Sequence, residues 1–372
     1  STGILEKGKR ELKTEMCFPM EVLVGHYAEL AEMDLDYLFI PEVVDMEPLP
    51  WAQEWPRAFT CSLLQTSKGV IVNSLRIPEE KVLYAQLNYR GGRKRILFQL
   101  EPVARKILGS AFSGERLSQA VEEGYRAQDK FRSLLREKSR KIMEELAGYR
   151  DLVCAVFVGR PYTVYDDFVS KGSLDFARQR GLLAIPQDFL LEYLAGWYSG
   201  EISHPALDRV RDEFNDKLQN LLTHVDNIYP IQLQKMLSTV FWAEFLNERA
   251  GETGLPLLHI VFQDPFKCGP NAMLRHFLGN ITGYLRLTLD EHTAPAGMIT
   301  RLEAFKNTCR TKKEKDRPVF YSARTCSVGN GEWRKILIPE PTHHARVFVA
   351  MMRNMGLDAE LLPRSKDRDL AL

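Results

Sequence analysis

From Leu152 to Val158 the chain passes through Val153, Cys154, Ala155, Val156 and Phe157 without one polar side chain. A strand with one wet face alternates apolar and polar residues. An unbroken run of this length is buried on both faces, the pattern of a parallel sheet covered by helices on each side. Leu182–Ile185 reads as a shorter strand-like run, and Leu257–Phe262 and Leu285–Leu289 are further strand candidates. Between them the apolar spacing turns helical, near Asp175–Arg180, from Asp188 onward, within Asn227–Ala250 and over Met298–Phe305. Short strands alternating with helices predict the α/β class, with parallel strands.

The first third of the chain reads the same way. Residues 20–31 are predicted as a helix, and Leu35–Ile40 as a buried strand ended by Pro41. Ala58–Leu64 and Val70–Asn73 read as two more strands, and Tyr89-Arg90-Gly91-Gly92 as a turn. From Gly114 to Ala147 the residues Leu117, Val121, Phe131, Leu135, Ile142 and Leu146 recur at multiples of three to four, which predicts one long amphipathic helix. Its run Arg136 to Lys141 is read as a solvated face.

The expected fold is therefore α/β: two flavodoxin- or Rossmann-like parallel-sheet domains, a long connecting helix and the start of a third α/β unit. The expected boundaries are 1–113 for a first domain incomplete at its N-terminus, 114–150 for the helix, and 151–308 for the second domain. A basic linker is expected over 309–334, and a β-α-β start over 335–372, with Thr342 as a helix cap. Both ends read as cuts through a longer polypeptide.

A net charge of +1 over 372 residues gives no global field for nucleic acid or membrane. No apolar run approaches the ~20 residues of a spanning helix. Six cysteines without framework spacing fit a reducing compartment, and the expected location is the cytoplasm. There is no phosphate-binding G-x-x-x-x-G-K-[ST], no G-x-G-x-x-G, no G-x-S-x-G and no H-E-x-x-H.

What chemistry remains is carried by thiols. Cys17 stands in Met16-Cys17-Phe18-Pro19 ahead of a predicted helix, Cys61 in Thr60-Cys61-Ser62, and Cys268 in Lys267-Cys268-Gly269-Pro270 between a strand and a helix. None forms a C-x-x-C pair, so a zinc finger is not indicated. Taken singly, each is a candidate for an ordinary buried thiol. Taken together, they suit an iron–sulfur centre with one non-thiolate position. A thiol at a helix N-terminus has its thiolate favoured by free amides and the dipole. Cys154, inside the apolar run, is read as core; Cys309 and Cys326, beside the linker, as incidental. Arg160, in Gly159-Arg160-Pro161-Tyr162 after a strand, is a candidate for an anion or a turn contact. His26 and Lys267 are candidates to line the same pocket. Asp290-Glu291-His292 reads as a strand-end network, and His343-His344 as surface residues. These residues follow the C-terminal ends of predicted strands, where open α/β sheets bind ligands.

An ordered series of short motifs runs through residues 15–306: Cys17-Phe18-Pro19 with Gly25-His26, Asp36-Tyr37-Leu38-Phe39-Ile40-Pro41, Thr60-Cys61, Gly159-Arg160-Pro161-Tyr162, Cys268-Gly269-Pro270-Asn271, and Asp290-Glu291-His292-Thr293-Ala294 with Gly297, Thr300-Arg301 and Glu303-Ala304-Phe305. The series resembles the large activase-related proteins of the 2-hydroxyacyl-CoA dehydratase and benzoyl-CoA reductase superfamily. Residues 335–372 resemble the start of the next module in such chains. The resemblance implies flavodoxin-like domains in which Cys17, Cys61 and Cys268 hold one [4Fe–4S] cubane, single or part of a double cubane, with His26, Arg160 and Lys267 around it. It implies an ATP-hydrolysing activase, as domain or subunit, that delivers low-potential electrons, and an acyl-CoA or small-molecule substrate. No nucleic-acid or membrane partner is expected, and a homo-oligomer is. This chain departs from the pattern at Ser62, where relatives carry Pro, and at Asn271, where they carry an acidic residue. Two other readings stand beside it: a docking module of a large protein with no cluster, and a zinc site using the cysteines with His26 or His292.

Overall fold

The computed structural model describes residues 2–52, 58–224 and 230–311, the strands 336–338 and 359–361, and residues 349 and 353. Contacts divide the chain into two compact units, Ser1–Phe320 and Tyr321–Leu372.

The first unit opens with helices α1 (Thr2–Glu11) and α2 (Phe18–Ala31). Alpha1 has no counterpart in the sequence reading. The two pack through glycines: a Cβ on Gly8 would meet the Glu21 carbonyl oxygen at 1.9 Å, and one on Gly25 would meet that of Ile4 at 1.9 Å. Strand β1 (Leu38–Asp45) runs straight through Pro41. This corrects the expectation that proline ends it. Beta1 pairs with a single partner, so the missing N–H of Pro41 need not break a ladder.

The expected strand at 58–64 is not formed. Phe59 makes only isolated bridges, to Asp45 and Pro230, and helix α3 (Ser62–Gln65) begins at once. The expected strand at 70–73 is instead the centre of α4 (Ser67–Leu75), which buries Ile71 and Val72 against β1. Both segments are short apolar runs, whose period cannot separate strand from buried helix. Strand β2 (Val82–Asn88) pairs parallel with β1, Leu38 opposite Val82 and Ile40 opposite Tyr84. Alpha5 (Gly92–Leu108) and α6 (Gly114–Leu146) follow, the second capped by the Ser113 hydroxyl on the Arg116 amide.

The second sheet is the expected one. Beta3 (Val153–Val158) is buried at every residue. After it come α7 (Pro161–Tyr165), α8 (Asp167–Ser170), α9 (Ser173–Gln179), β4 (Leu182–Pro186) and α10 (Gln187–Tyr198). Then come α11 (Pro205–Asp208), α12 (Arg211–His224), α13 (Ile231–Glu248) and α14 (Ala250–Thr253). Beta5 (Leu258–Pro265), α15 (Gly269–Ile281), β6 (Tyr284–Leu289) and α16 (Pro295–Thr311) complete the unit. The strand order is β4-β3-β5-β6, all parallel. The order reverses between β3 and β5, so the crevice at their C-terminal ends is a topological switch point.

One core joins the two sheets. Leu49, Trp51 and Ala58 from the first pack with α10, α13 and β3 of the second. Trp197 stacks on Trp242 at 5.1 Å, and Phe214 meets Trp242 edge-on at 4.9 Å. In the second unit, β7 (Ile336–Ile338) pairs parallel with β8 (Ala359–Leu361), as a β-α-β start requires. Arg310 and Thr311 close α16; the rest of the expected basic linker, Cys326, the Thr342 cap and His343-His344 lie outside the described residues. Among the described residues no helix is long and apolar enough to cross a membrane.

Candidate functional site: a thiol nest at the switch point

Each cysteine of interest occupies a helix N-cap with extended backbone: Cys17 on α2, Cys61 on α3 and Cys268 on α15. Pro19 and Pro270 sit in the first turns, where a missing N–H costs nothing. Arg160 is the N-cap of α7 and follows β3, while Cys268 follows β5, the next strand. Arg160 and Cys268 thus flank the crevice. Cys61 is brought in by Thr60, whose hydroxyl donates to the carbonyl of Val43 at the end of β1 and whose amide donates to Val44 at 2.9 Å.

The side chains converge. Arg160 is 6% exposed, and its Nη2 lies 3.5 Å from the Cys268 sulfur. The same guanidinium interacts with Cys61 and with the Tyr162 hydroxyl. Cys17 feels the charges of Cys268, Cys61 and Arg160. All three cysteines are free and partly buried. No carboxylate figures among the main charges acting on Arg160. A buried charge without an opposite one costs several kcal/mol, so the nest is built to receive negative charge.

Electrostatics follow from burial. Burial pushes the Cys17 thiol up to about 11, against the Met20 amide and Arg160, which favour thiolate. Burial also raises Cys268, opposed by Arg160 and by the Asn271 amide on its sulfur. At Arg160 burial disfavours the cation, but Tyr162, Cys268 and Cys61 outweigh it and raise the net value. Desolvation pushes the Tyr162 hydroxyl up, with Arg160 pulling the other way. At neutral pH the nest therefore holds Cys17 as a thiol beside a cation, and a metal must displace its proton to bind.

The other sequence candidates lie elsewhere. Lys267 adopts left-handed backbone (φ 63°), and its ammonium pairs with Glu15 at 2.6 Å. It lines a charged cavity of about 310 Å³ with Lys9, Lys13, Glu15, Glu21 and Glu291, in which Lys9 pairs with Glu291. His26 is exposed on α2, nine residues from Cys17 and so about 13 Å along the axis. Glu291 contributes to the cavity, Asp290 accepts from the Thr293 hydroxyl and the His292 amide, and His292 stays outside the nest. A second, mostly apolar cavity of about 560 Å³ opens beside Cys61 and Cys268, lined by Phe59, Thr60, Pro230, Gly269, Pro270 and Met273, among others.

Two nest residues carried no assigned role in the sequence reading, Tyr162 and Asn271. The signal for Asn271 was its place three after Cys268, a helical neighbour spacing; for Tyr162 it was only its place in the motif Gly159-Arg160-Pro161-Tyr162. Among the described residues no three His, Cys, Asp or Glu side chains stand close enough to hold one metal ion. A tetrahedral zinc keeps its sulfurs about 2.3 Å away, hence within about 4 Å of each other. The zinc reading thus finds no ligand set here.

Fold and site together define a parallel α/β protein with a thiol nest at its switch point. Residues 1–190, just over half of the chain, match the family described as the CoA enzyme activase uncharacterised domain, and the chain belongs to that family. The match takes in Cys17, Cys61, Arg160 and Tyr162 and stops before Cys268. No curated protein matches the chain.

Proposed function

We propose that the nest of Cys17, Cys61 and Cys268 holds a [4Fe–4S] cluster and that the chain is an iron–sulfur electron-transfer or reductase module of a CoA enzyme system. The observation that carries this is the convergence of three thiols from three distant segments on one buried guanidinium. A cubane spreads its thiolate corners wider than a single ion does, and a negative cluster supplies the charge that Arg160 lacks. When bound, such a cluster supplies one-electron chemistry.

The chain's own residues do the rest. Cys17, Cys61 and Cys268 release protons to become ligands. Arg160 donates to Cys268 and places its charge beside Cys61, which draws charge from sulfur and raises the potential. Thirteen- and fourteen-residue helices point their N-termini at Cys268 and Cys17, adding to the positive field. The apolar cavity is lined by chain neighbours of Cys61 and Cys268, among them Thr60, Ser62 and Gly269, and is the proposed seat for an apolar ligand group next to the nest. The proposed donor is an ATP-hydrolysing activase, and the proposed substrate an acyl-CoA or a small molecule.

Anaerobic purification with iron, acid-labile sulfide and visible-spectrum assays tests the reading. About four irons per chain, lost in Cys17→Ala and retained in Cys154→Ala, is the expected result. Colourless protein after anaerobic reconstitution overturns it, and leaves a docking module without a cluster.

A further inference from the structure

The nest contains more hydrogen-bonding capacity than its residues use. Asn271 is fully buried, yet neither its Oδ1 nor its Nδ2 has a partner. The Nε of Arg160 is likewise buried and unpartnered. Leaving such groups unsatisfied costs roughly 1–3 kcal/mol each, so structures keep them where something binds. Both groups belong to one place. Arg160 reaches the Cys268 sulfur through Nη2, and the Asn271 backbone is near enough to act on the same thiol, three residues on in the helix that Cys268 caps. Cys268 and Asn271 are three apart on α15, on one face, and a helical side chain leans toward the N-terminus of its helix. The Asn271 amide therefore leans over the turn that begins at Cys268. That helix is thirteen residues long, with free amides at its start.

We propose that Arg160 and Asn271 form a binding site for a carboxylate or other small oxyanion at the N-terminus of α15, against Cys268. A carboxylate takes the guanidinium Nε–H and the amide N–H as donors, and among the described residues no carboxylate figures among the main charges acting on Arg160. Lys267 is not a competitor, because its ammonium is spent on Glu15. The inference deepens the reading above by naming a ligand chemistry for the same nest. It rests on that reading for a cluster beside the ligand, while the anion site needs only these residues.

Iodoacetate and iodoacetamide are the probes, applied to the cluster-free protein, with alkylation at each cysteine read by peptide mass spectrometry. Both reagents place a carbon on sulfur, with loss of iodide and the thiol proton; only iodoacetate carries a carboxylate. The expected result is an iodoacetate-to-iodoacetamide rate ratio at Cys268 at least ten-fold above that at Cys309. Acetate should protect Cys268 better than chloride at equal ionic strength. Asn271→Asp, nearly isosteric and placed to pair with Arg160, should remove the preference, read as the iodoacetate-to-iodoacetamide ratio so that a change in thiol reactivity common to both reagents cancels. Arg160→Met should remove it as well. Equal ratios at Cys268 and Cys309, or a preference that survives Asn271→Asp, overturn the anion site whatever the iron content. Iron without the preference leaves the cluster reading standing, and the preference without iron leaves the anion site standing.

Discussion

A thiol at a helix N-terminus is ordinarily easier to ionise, and at Cys17 burial reverses that. Its pKa is pushed from 9.0 to about 11 by burial, with the Met20 amide and Arg160 too weak to compensate. The folded chain thus favours the protonated thiol. In the cluster-free protein this contribution is fully present below about pH 9 and is lost as pH rises through 11, by at most about 2.7 kcal/mol. Urea unfolding of the native chain and of Cys17→Ala should give free energies whose difference narrows over that window; a pH-independent difference would refute the burial argument. The same sign means that iron uptake releases protons and proceeds better at pH 8.5 than at 6.5, read as iron bound per chain. The cysteines themselves were legible from their corners and caps. Their convergence was not, because no spacing rule relates residues 17, 61 and 268. Asn271 and Tyr162 were visible as letters of motifs, but the burial of Asn271 depends on side chains from other segments.

At the scale of elements, legibility followed burial on two faces. The second sheet was readable because β3 is an unbroken apolar run and β4 to β6 are short apolar-rich segments with helices between, and their order needed only the switch that places β3 beside β5. In the first sheet, Val70–Asn73 misled because a buried helix segment of four residues has no period to show, and Pro41 because an edge strand tolerates it. Alpha1 escaped notice, though it fixes α2 and so Cys17. Its contact runs through Gly8 and Gly25, where an added Cβ would lie 1.9 Å from a backbone oxygen. Gly25→Ala should therefore cost at or above the upper end of the roughly 1–3 kcal/mol typical of overpacking, and should loosen cluster retention with the cysteines intact. Denaturant midpoints and iron content check both. Ser113→Ala removes the cap of α6 and should cost about 1 kcal/mol with no change in iron. An iron loss there would mean that α6 supports the nest, although no residue of α6 belongs to it.

In the whole molecule, the nest is a seam. Cys17 and Cys61 come with the first sheet and its helices, Arg160 and Cys268 with the second, so the geometry depends on how the two halves of the first unit are held. Hydrophobic packing through Trp51 and α13 does most of this. On the charged side, two reciprocal ion pairs cross the seam: Lys9 with Glu291, and Glu15 with Lys267, each beginning or ending within eight residues of Cys17 or within twenty-three of Cys268. Glu15 is 82% exposed as a side chain, so these are surface pairs in high dielectric, weak and screened by salt. A clasp of that strength cannot decide folding, but it can bias a seam between closed and open forms. A bias this weak changes the open population by roughly five-fold at most. In the cluster-free protein Glu291→Lys should raise the iodoacetamide alkylation rate of Cys17 and Cys268 by about two- to five-fold at low salt. Adding Lys9→Glu should restore the original rate by re-forming the pair with reversed sign. Both effects should fade in about 1 M salt, where the screening length falls to about 3 Å, while the Cys154 rate stays unchanged throughout. If the single variant matches the native rate, the seam is held by its apolar core alone. If the double variant fails to restore it, Glu291 acts through its loop and not through its charge.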